Sequence, residues 1–271
     1  MSGNANNENG SSRLSYIKKQ VAEKVNGINT SIIKFGGDPA LTPARFKRHD
    51  ALEHVVSKEL LAFDELTGLR AKNRFIGELG VAVAEAKRDP NAAPLILVLA
   101  DIDHFKEFND KWDYNVGDDV LRAVGHTLRS KARTSDATYR NGGEEFAVLS
   151  HQTENDQPIT SDYALPERIR TAIEETKVII NRENNDIPLG VTVSLGFVEY
   201  QQGESRDSFY SRAMDALFVA KGIGRNRTVS AEIRNGKNVY WDILTKNYFF
   251  VERNADGKRI KATKIADINT Y

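Results

Sequence analysis

The sequence predicts an α+β domain over about residues 64–231, and three features carry that expectation. Helical patterns are interleaved with strand-like runs. One of those runs, "APLILVLADI", is apolar without a break, as a strand buried on both faces would be. Another pair of runs, in "ATYRNGGEEFAVLS", is joined by a glycine turn instead of a helix, which reads as a β-hairpin.

The elements follow in chain order. Residues 1–12 are mostly Asn, Ser and Gly and read as a disordered tail. Residues 13–63 read as a helical regulatory or dimerisation segment. Leu14, Ile17, Val21, Val25, Ile28 and Ile32 recur at three- and four-residue steps, "FGGDPALTP" interrupts them, and Leu52, Val55, Val56, Leu60 and Leu61 resume the pattern. The two helices, at about 14–34 and 46–62, are too short to build a core of their own and are expected to pair across a dimer or bind a regulator. Within the domain, "NRFIGELGVAVAEAKR" reads as a helix and "APLILVLADI" as a strand. "GDDVLRAVGHTLRSKAR" reads as a helix, "ATYRNGGEEFAVLS" as the hairpin and "LPERIRTAIEETKVII" as a helix opened by proline. "GVTVSLGFVEY" reads as a strand and "SFYSRAMDALFVAKGIGRNRTV" as a helix ended by glycine. Residues 232–271 hold aromatic β runs and an Asp256-Gly257 turn signal, and are expected to form a small β-rich appendage.

Composition excludes several classes. Lys+Arg and Asp+Glu both number 38, so no global field draws the chain to nucleic acid or to an anionic membrane. Without cysteine there are no disulfides, thiolate metal sites or Cys nucleophile. No apolar run reaches the roughly 18 residues that span a bilayer, and the start lacks the regions of a signal peptide, so the expected location is cytoplasmic.

The chemistry concentrates in carboxylates at strand ends. Asp101 and Asp103 close a buried strand, where period-two alternation points both to one side. Glu144 and Glu145 begin another strand and point to opposite sides if the pleat holds. One acid from each strand can then meet at one spot, where mutual repulsion calls for a hard divalent cation such as magnesium. Two ordinary solvated turns are the alternative reading. Gly142 and Gly143 can adopt backbone regions closed to other residues and leave room for a ligand at the main chain, although Asn141-Gly142 is also a common hairpin turn.

Six segments in order carry a family resemblance: "DELTGL" at 64–69, "DIDHFKEFND" at 101–110, "VGDDVL" at 116–121, "RTSDATYRNGGEEF" at 133–146, "VTVSLGF" at 191–197 and "ALFVAKGIGRNR" at 216–227. Together they resemble the GGDEF family of diguanylate cyclases, in its GGEEF variant, over roughly residues 64–229. The resemblance implies a palm-like, mostly antiparallel central sheet flanked by helices, of the kind shared with nucleotide cyclases. It implies that two GTP become cyclic di-GMP and two pyrophosphates in a homodimer. Asp101, Glu144 and the Ile102 carbonyl would hold Mg2+ (or Mn2+), and Glu145 would help to deprotonate the attacking 3′-hydroxyl. Asn109 and Asp118 would read guanine, an N-terminal helix cap being the alternative for Asp118. Lys106, Lys221 and Arg225, with the amides near His104 and Phe105, would take the phosphates, and Gly142 and Gly143 would border the nucleotide. Arg133 and Asp136, an Arg-x-x-Asp five residues before the glycines, would form an inhibitory site for the product.

The chain departs from the family pattern at three places: Asp113-Tyr114 stand where Gly-His is usual, "LTGLRAKNRF" alters a common spacing, and Met214 replaces an Asp in the last helix. A cyclic dinucleotide synthase of relaxed base choice and a non-catalytic cyclic di-GMP receptor, binding through Arg133 and Asp136, are the alternatives in function. Intact acids at 101, 144 and 145 count against the receptor.

Overall fold

The computed structural model describes residues 62–152, 165–182 and 185–268. The two helices expected before Asp64 lie outside those residues, apart from position 62 itself.

The central strand β2 (Leu95–Ile102) explains why its sequence is apolar without a break. Leu95, Leu97 and Leu99 enter one core, and Ile96, Val98, Ala100 and Ile102 enter a second on the opposite face. The first core is covered by α1 (Lys72–Arg88), through Phe75, Leu79 and Val83, and by α5 (Arg206–Gly222). The second is covered by α2 (Phe105–Trp112), α3 (Tyr114–Lys131) and α4 (Leu165–Glu175). A nine-stranded sheet lies between the two layers, in the order β1-β3-β4-β2-β7-β8-β9-β10-β11. Its further members are β1 (Arg70–Ala71), β3 (Ala137–Gly142), β4 (Glu145–His151), β7 (Val193–Glu199), β8 (Thr228–Arg234), β9 (Lys237–Asp242), β10 (Asn247–Arg253) and β11 (Arg259–Lys264). Only β1–β3 and β7–β8 pair in parallel, so the sheet is mostly antiparallel. A separate antiparallel ribbon joins β5 (Val178–Arg182) to β6 (Asn185–Leu189).

Helix α5 shows how the sequence brings a helix end to the sheet. A Cβ on Gly196 of β7 would lie 2.2 Å from the Leu217 nitrogen and 2.5 Å from the Ala213 oxygen. Only glycine lets the helix backbone rest on the strand, and that contact sets the height at which Lys221, at the helix end, meets Asp101 at the end of β2.

Three boundaries differ from the sequence-based expectation, each for a local reason. Helix α3 begins at Tyr114 instead of Gly117 because the Asp113 side chain accepts from the Asn115 and Val116 amides and caps it there. Helix α4 stops at Glu175, and the β-branched run after it becomes β5. The strand β8 runs across the expected 231/232 boundary, and β9–β11 continue the central sheet from it.

Candidate active site

Strands β2 and β4 are antiparallel neighbours with Asp101 opposite Glu145, so these two side chains leave the sheet on the same face. That face also carries Leu97, Leu99, Ala147 and Leu149, and it is covered by α5. The Asp101 carboxylate is buried and meets the Lys221 ammonium of α5 at 2.6 Å. Burial raises its pKa to about 6, against the pull of Lys221, and the nearby Glu144 and Glu145 carboxylates push the same way as burial.

Glu144 does not follow the strand alternation. It sits in the turn between β3 and β4, where its carbonyl accepts from the Ile102 amide at 3.3 Å. The turn is built on Gly143 and Glu144, not on Asn141-Gly142. Neither glycine takes a left-handed conformation, so the expected need for closed backbone regions is not realised. A Cβ on Gly142 would stand 3.1 Å from the movable Glu145 carboxylate, and one on Gly143 would meet nothing within 4 Å.

The turn is held from outside by a residue the sequence did not mark. The Arg140 Nε and Nη2 donate to the Gly143 carbonyl at 2.9 and 2.8 Å, and Nη1 donates to Asp64 at 3.2 Å. Asp64, in "DELTGL", also accepts from the Thr67 amide and hydroxyl at 2.8 and 2.6 Å. Arginine next to the glycines was the available signal, but its partner lies 76 residues away in sequence.

Past the end of β2, His104 turns the chain in a left-handed conformation and α2 opens at the buried Phe105, with Lys106 exposed. No side chain caps the first amides of α2, and free helix N-terminal amides favour an anion. On the same helix, the Asn109 side-chain oxygen is buried with no hydrogen-bond partner. It presses against Gly117 of α3, where a Cβ would come within 2.0 Å of it. Asp118 is half-buried in the second turn of α3, and the cap it was an alternative for is made by Asp113. Arg225 is exposed on a left-handed turn just after α5.

The structure thus gathers Asp101, Ile102, Glu144, Glu145 and Lys221 at one end of the sheet, with His104, Phe105 and Lys106 on the turn that follows. Arg133 and Asp136 stand apart, before the other end of β3. The Asp136 carboxylate accepts from the Arg133 amide and from the Ser150 hydroxyl, each at 2.7 Å.

Comparison with known proteins identifies the assembly. The model of the "Diguanylate cyclase, GGDEF domain" family matches residues 61–227. The chain belongs to the GGDEF diguanylate cyclase family.

Its relatives agree. The diguanylate cyclase VdcA of Vibrio cholerae is 34% identical over 218 residues, which cover 80% of this chain and 58% of that protein. The probable diguanylate cyclase DgcT of Escherichia coli is 35% identical over 181 residues, covering 66% of this chain and 38% of that protein. The chain thus spans about two fifths to three fifths of the length of these curated relatives. Among solved structures, the coiled coil and GGDEF domain of DgcB from Caulobacter crescentus, in complex with c-di-GMP, aligns with a TM-score of 0.58 at 32% identity. That alignment covers 71% of this chain and 96% of that one. The Pseudomonas aeruginosa cyclase SiaD, solved with its activator SiaC, aligns with a TM-score of 0.57 at 28% identity over 82% of this chain and 80% of its own.

The acids of this GGDEF domain suit a divalent cation. Among the described residues no three His, Asp or Glu side chains form a closed cage, so the protein would supply part of a coordination shell and a nucleotide the rest. A carboxylate whose pKa is raised by burial, with two neighbouring carboxylates acting in the same direction, is relieved by added positive charge.

Proposed function

We propose that the protein is a diguanylate cyclase, condensing two GTP into cyclic di-GMP with release of two pyrophosphates. The observation that carries the reading is the buried Asp101 beside Lys221 at 2.6 Å, flanked by Glu144 and Glu145 on the signature turn. Phosphate-binding cations and metal-binding acids must converge in this way for triphosphate chemistry. The names of the relatives support the same activity.

Asp101, Glu144 and the Ile102 carbonyl would hold Mg2+ or Mn2+, which when bound neutralises the triphosphate and lowers the pKa of the attacking hydroxyl. Lys221, Arg225 and Lys106, with the first amides of α2, hold the phosphates, and Gly142 and Gly143 let the nucleotide approach the turn. The unpaired Asn109 oxygen and the Asp118 carboxylate are acceptors, and guanine offers adjacent N1–H and N2–H donors that adenine lacks.

In the reaction, the 3′-oxygen of one GTP bonds to the α-phosphorus of the other and the bond to pyrophosphate breaks, while Glu145 takes the hydroxyl proton. The same step with the roles exchanged closes the ring. One domain holds one GTP, so two copies must face each other as a homodimer. Arg133 and Asp136 bind the product as an inhibitor. GTP as substrate places the reaction in the cytoplasm, and no helix among the described residues is long and apolar enough to cross a membrane.

The test is to incubate the purified chain with Mg2+ and either GTP or ATP and to identify the products by mass. Cyclic di-GMP is expected from GTP alone. Glu144→Gln should lower turnover about a hundredfold or more while the protein still folds. Dinucleotide formation at the wild-type rate in excess chelator overturns the reading.

A further inference from the structure

Asp103 stands two residues after Asp101, and its carboxylate is taken up by donors of this chain. It is buried, at 7% exposure, and engaged by three donors. Oδ1 accepts from the Ser194 hydroxyl at 2.7 Å, and Oδ2 accepts from the Thr192 hydroxyl at 2.7 Å and from the Asn226 backbone amide at 2.9 Å. The first two bonds fasten the end of β2 to β7. The third reaches the turn after α5.

That turn is not one the chain would hold unaided. Gly224, Arg225 and Asn226 have φ of 130°, 59° and 45°; glycine and asparagine enter this region readily, whereas an arginine persists there where its surroundings fix it. The Arg225 amide donates to the Ala220 carbonyl at 3.0 Å and so closes the helix end. The Asn226 side chain is gripped by α4, donating to Glu174 at 2.8 Å and accepting from Arg170 at 2.7 Å. Its backbone amide is taken by Asp103. The end of α5 is therefore pinned to the acid-bearing strand twice, through Asp101 with Lys221 and through Asp103 with Asn226, and Arg225 lies between the two pins.

We infer that Asp103 is a positioning residue for Arg225: it fixes the left-handed turn that aims this guanidinium at the triphosphate. The inference rests on the reading of Arg225 as a phosphate contact. A carboxylate that only joined β2 to β7 would serve stability alone and would treat every guanine nucleotide alike.

Equilibrium binding of GTP and GMP to the full chain, in excess chelator so that no condensation proceeds, separates these cases. Asp103→Ala removes the acceptor that the Asn226 N–H needs. It should weaken GTP binding about tenfold and leave GMP binding within about twofold. Arg225→Ala should give the same pattern, and the double variant should be no weaker than either single one, because both remove one contact. Thr192→Val with Ser194→Ala removes the β7 bonds and spares the turn, so it should lower the melting temperature without altering the GTP-to-GMP ratio. Should Asp103→Ala fail to fold, Asn226→Gly loosens the turn from its other side and must also lower that ratio. Equal weakening of GTP and GMP by Asp103→Ala, full additivity with Arg225→Ala, or a wild-type ratio in Asn226→Gly each overturns the inference. If Arg225→Ala itself leaves GTP binding unchanged, the underlying phosphate reading falls first, and that result is distinct from the other three.

Discussion

Asp113 occupies a backbone conformation, φ 93° and ψ 164°, that is close to glycine-only, at a position where the family usually has glycine. Such a conformation costs an aspartate about 1–3 kcal/mol. The same side chain recovers part of that by capping α3 through the Asn115 and Val116 amides, at 2.9 and 3.2 Å. A cap of this kind is worth about 1 kcal/mol over alanine, and glycine gives up only a few tenths of it. The two effects oppose each other, and strain is the larger. Asp113→Gly is therefore expected to stabilise the fold by about 1 kcal/mol, raising the melting temperature by roughly 2–4 °C for a domain of this size. Thermal unfolding of the two forms checks it, and a lower melting temperature in the glycine form would mean that the cap outweighs the strain. At this scale the acids Asp101, Glu144 and Glu145 were legible because their motifs are local. Arg140 and Asp103 were not, since Asp64 is 76 residues from the first and Asn226 is 123 residues from the second.

Strands β9–β11, which pair with the sheet through β8, are also fastened to α5 by one buried carboxylate. Asp215 of α5 accepts from the Tyr240 hydroxyl of β9 at 2.9 Å, from Arg253 of β10 at 2.5 Å and from Arg259 of β11. It lies next to Met214, which packs against the core where the family usually has an acid. Burial, with the Asp215 charge acting in the same direction, holds the Tyr240 hydroxyl well above the usual range, so it stays a donor at every working pH. Removing the shared acceptor leaves two guanidiniums and a hydroxyl without it. Asp215→Ala is expected to cost about 3–5 kcal/mol, read as a shifted midpoint in urea, whereas Lys264→Gln on the exposed side of β11 should stay within about 0.5 kcal/mol. Similar midpoints for the two variants would show that the strands are held by sheet pairing alone. The elements themselves were unevenly legible. Strand β2 and helix α1 declared themselves because an unbroken apolar run and a long amphipathic repeat leave little choice. Helix α2 is only eight residues long, shorter than the window in which helical periodicity accumulates. Strand β5 was absorbed into α4 because Val178, Ile179 and Ile180 extend an apolar pattern whose period cannot be judged over so few residues.

At the scale of the whole molecule, the proposed reaction needs two active faces together, and the proposed inhibitory pair lies where it can keep them apart. Asp136 precedes β3, and the signature turn closes that strand's other end, so the two sites are separated by six residues of extended chain, roughly 20 Å. A dinucleotide held by Arg133 and Asp136 therefore cannot sit among the acids of its own domain. On the proposed reading it acts on them by fixing how two domains are arranged. The site is preorganised for this: Asp136 is anchored by Ser150 at 2.7 Å, so a ligand would not have to order it. An arginine fork matches the guanine O6 and N7 or a phosphate, and a carboxylate accepts from the guanine N–H edge, so a guanylate dinucleotide satisfies both residues. Inhibition by cyclic di-GMP should accordingly lower the maximal rate and not be relieved by excess GTP. Arg133→Ala should keep its full rate at product concentrations that suppress the wild type at least tenfold, with its rate in the absence of product unchanged, because Arg133 precedes β3 and the acids follow that strand's other end. Initial rates across a matrix of GTP and product concentrations distinguish the outcomes: equal sensitivity in both proteins, or inhibition that GTP overcomes, would move the product to the catalytic face and remove Arg133 from its control.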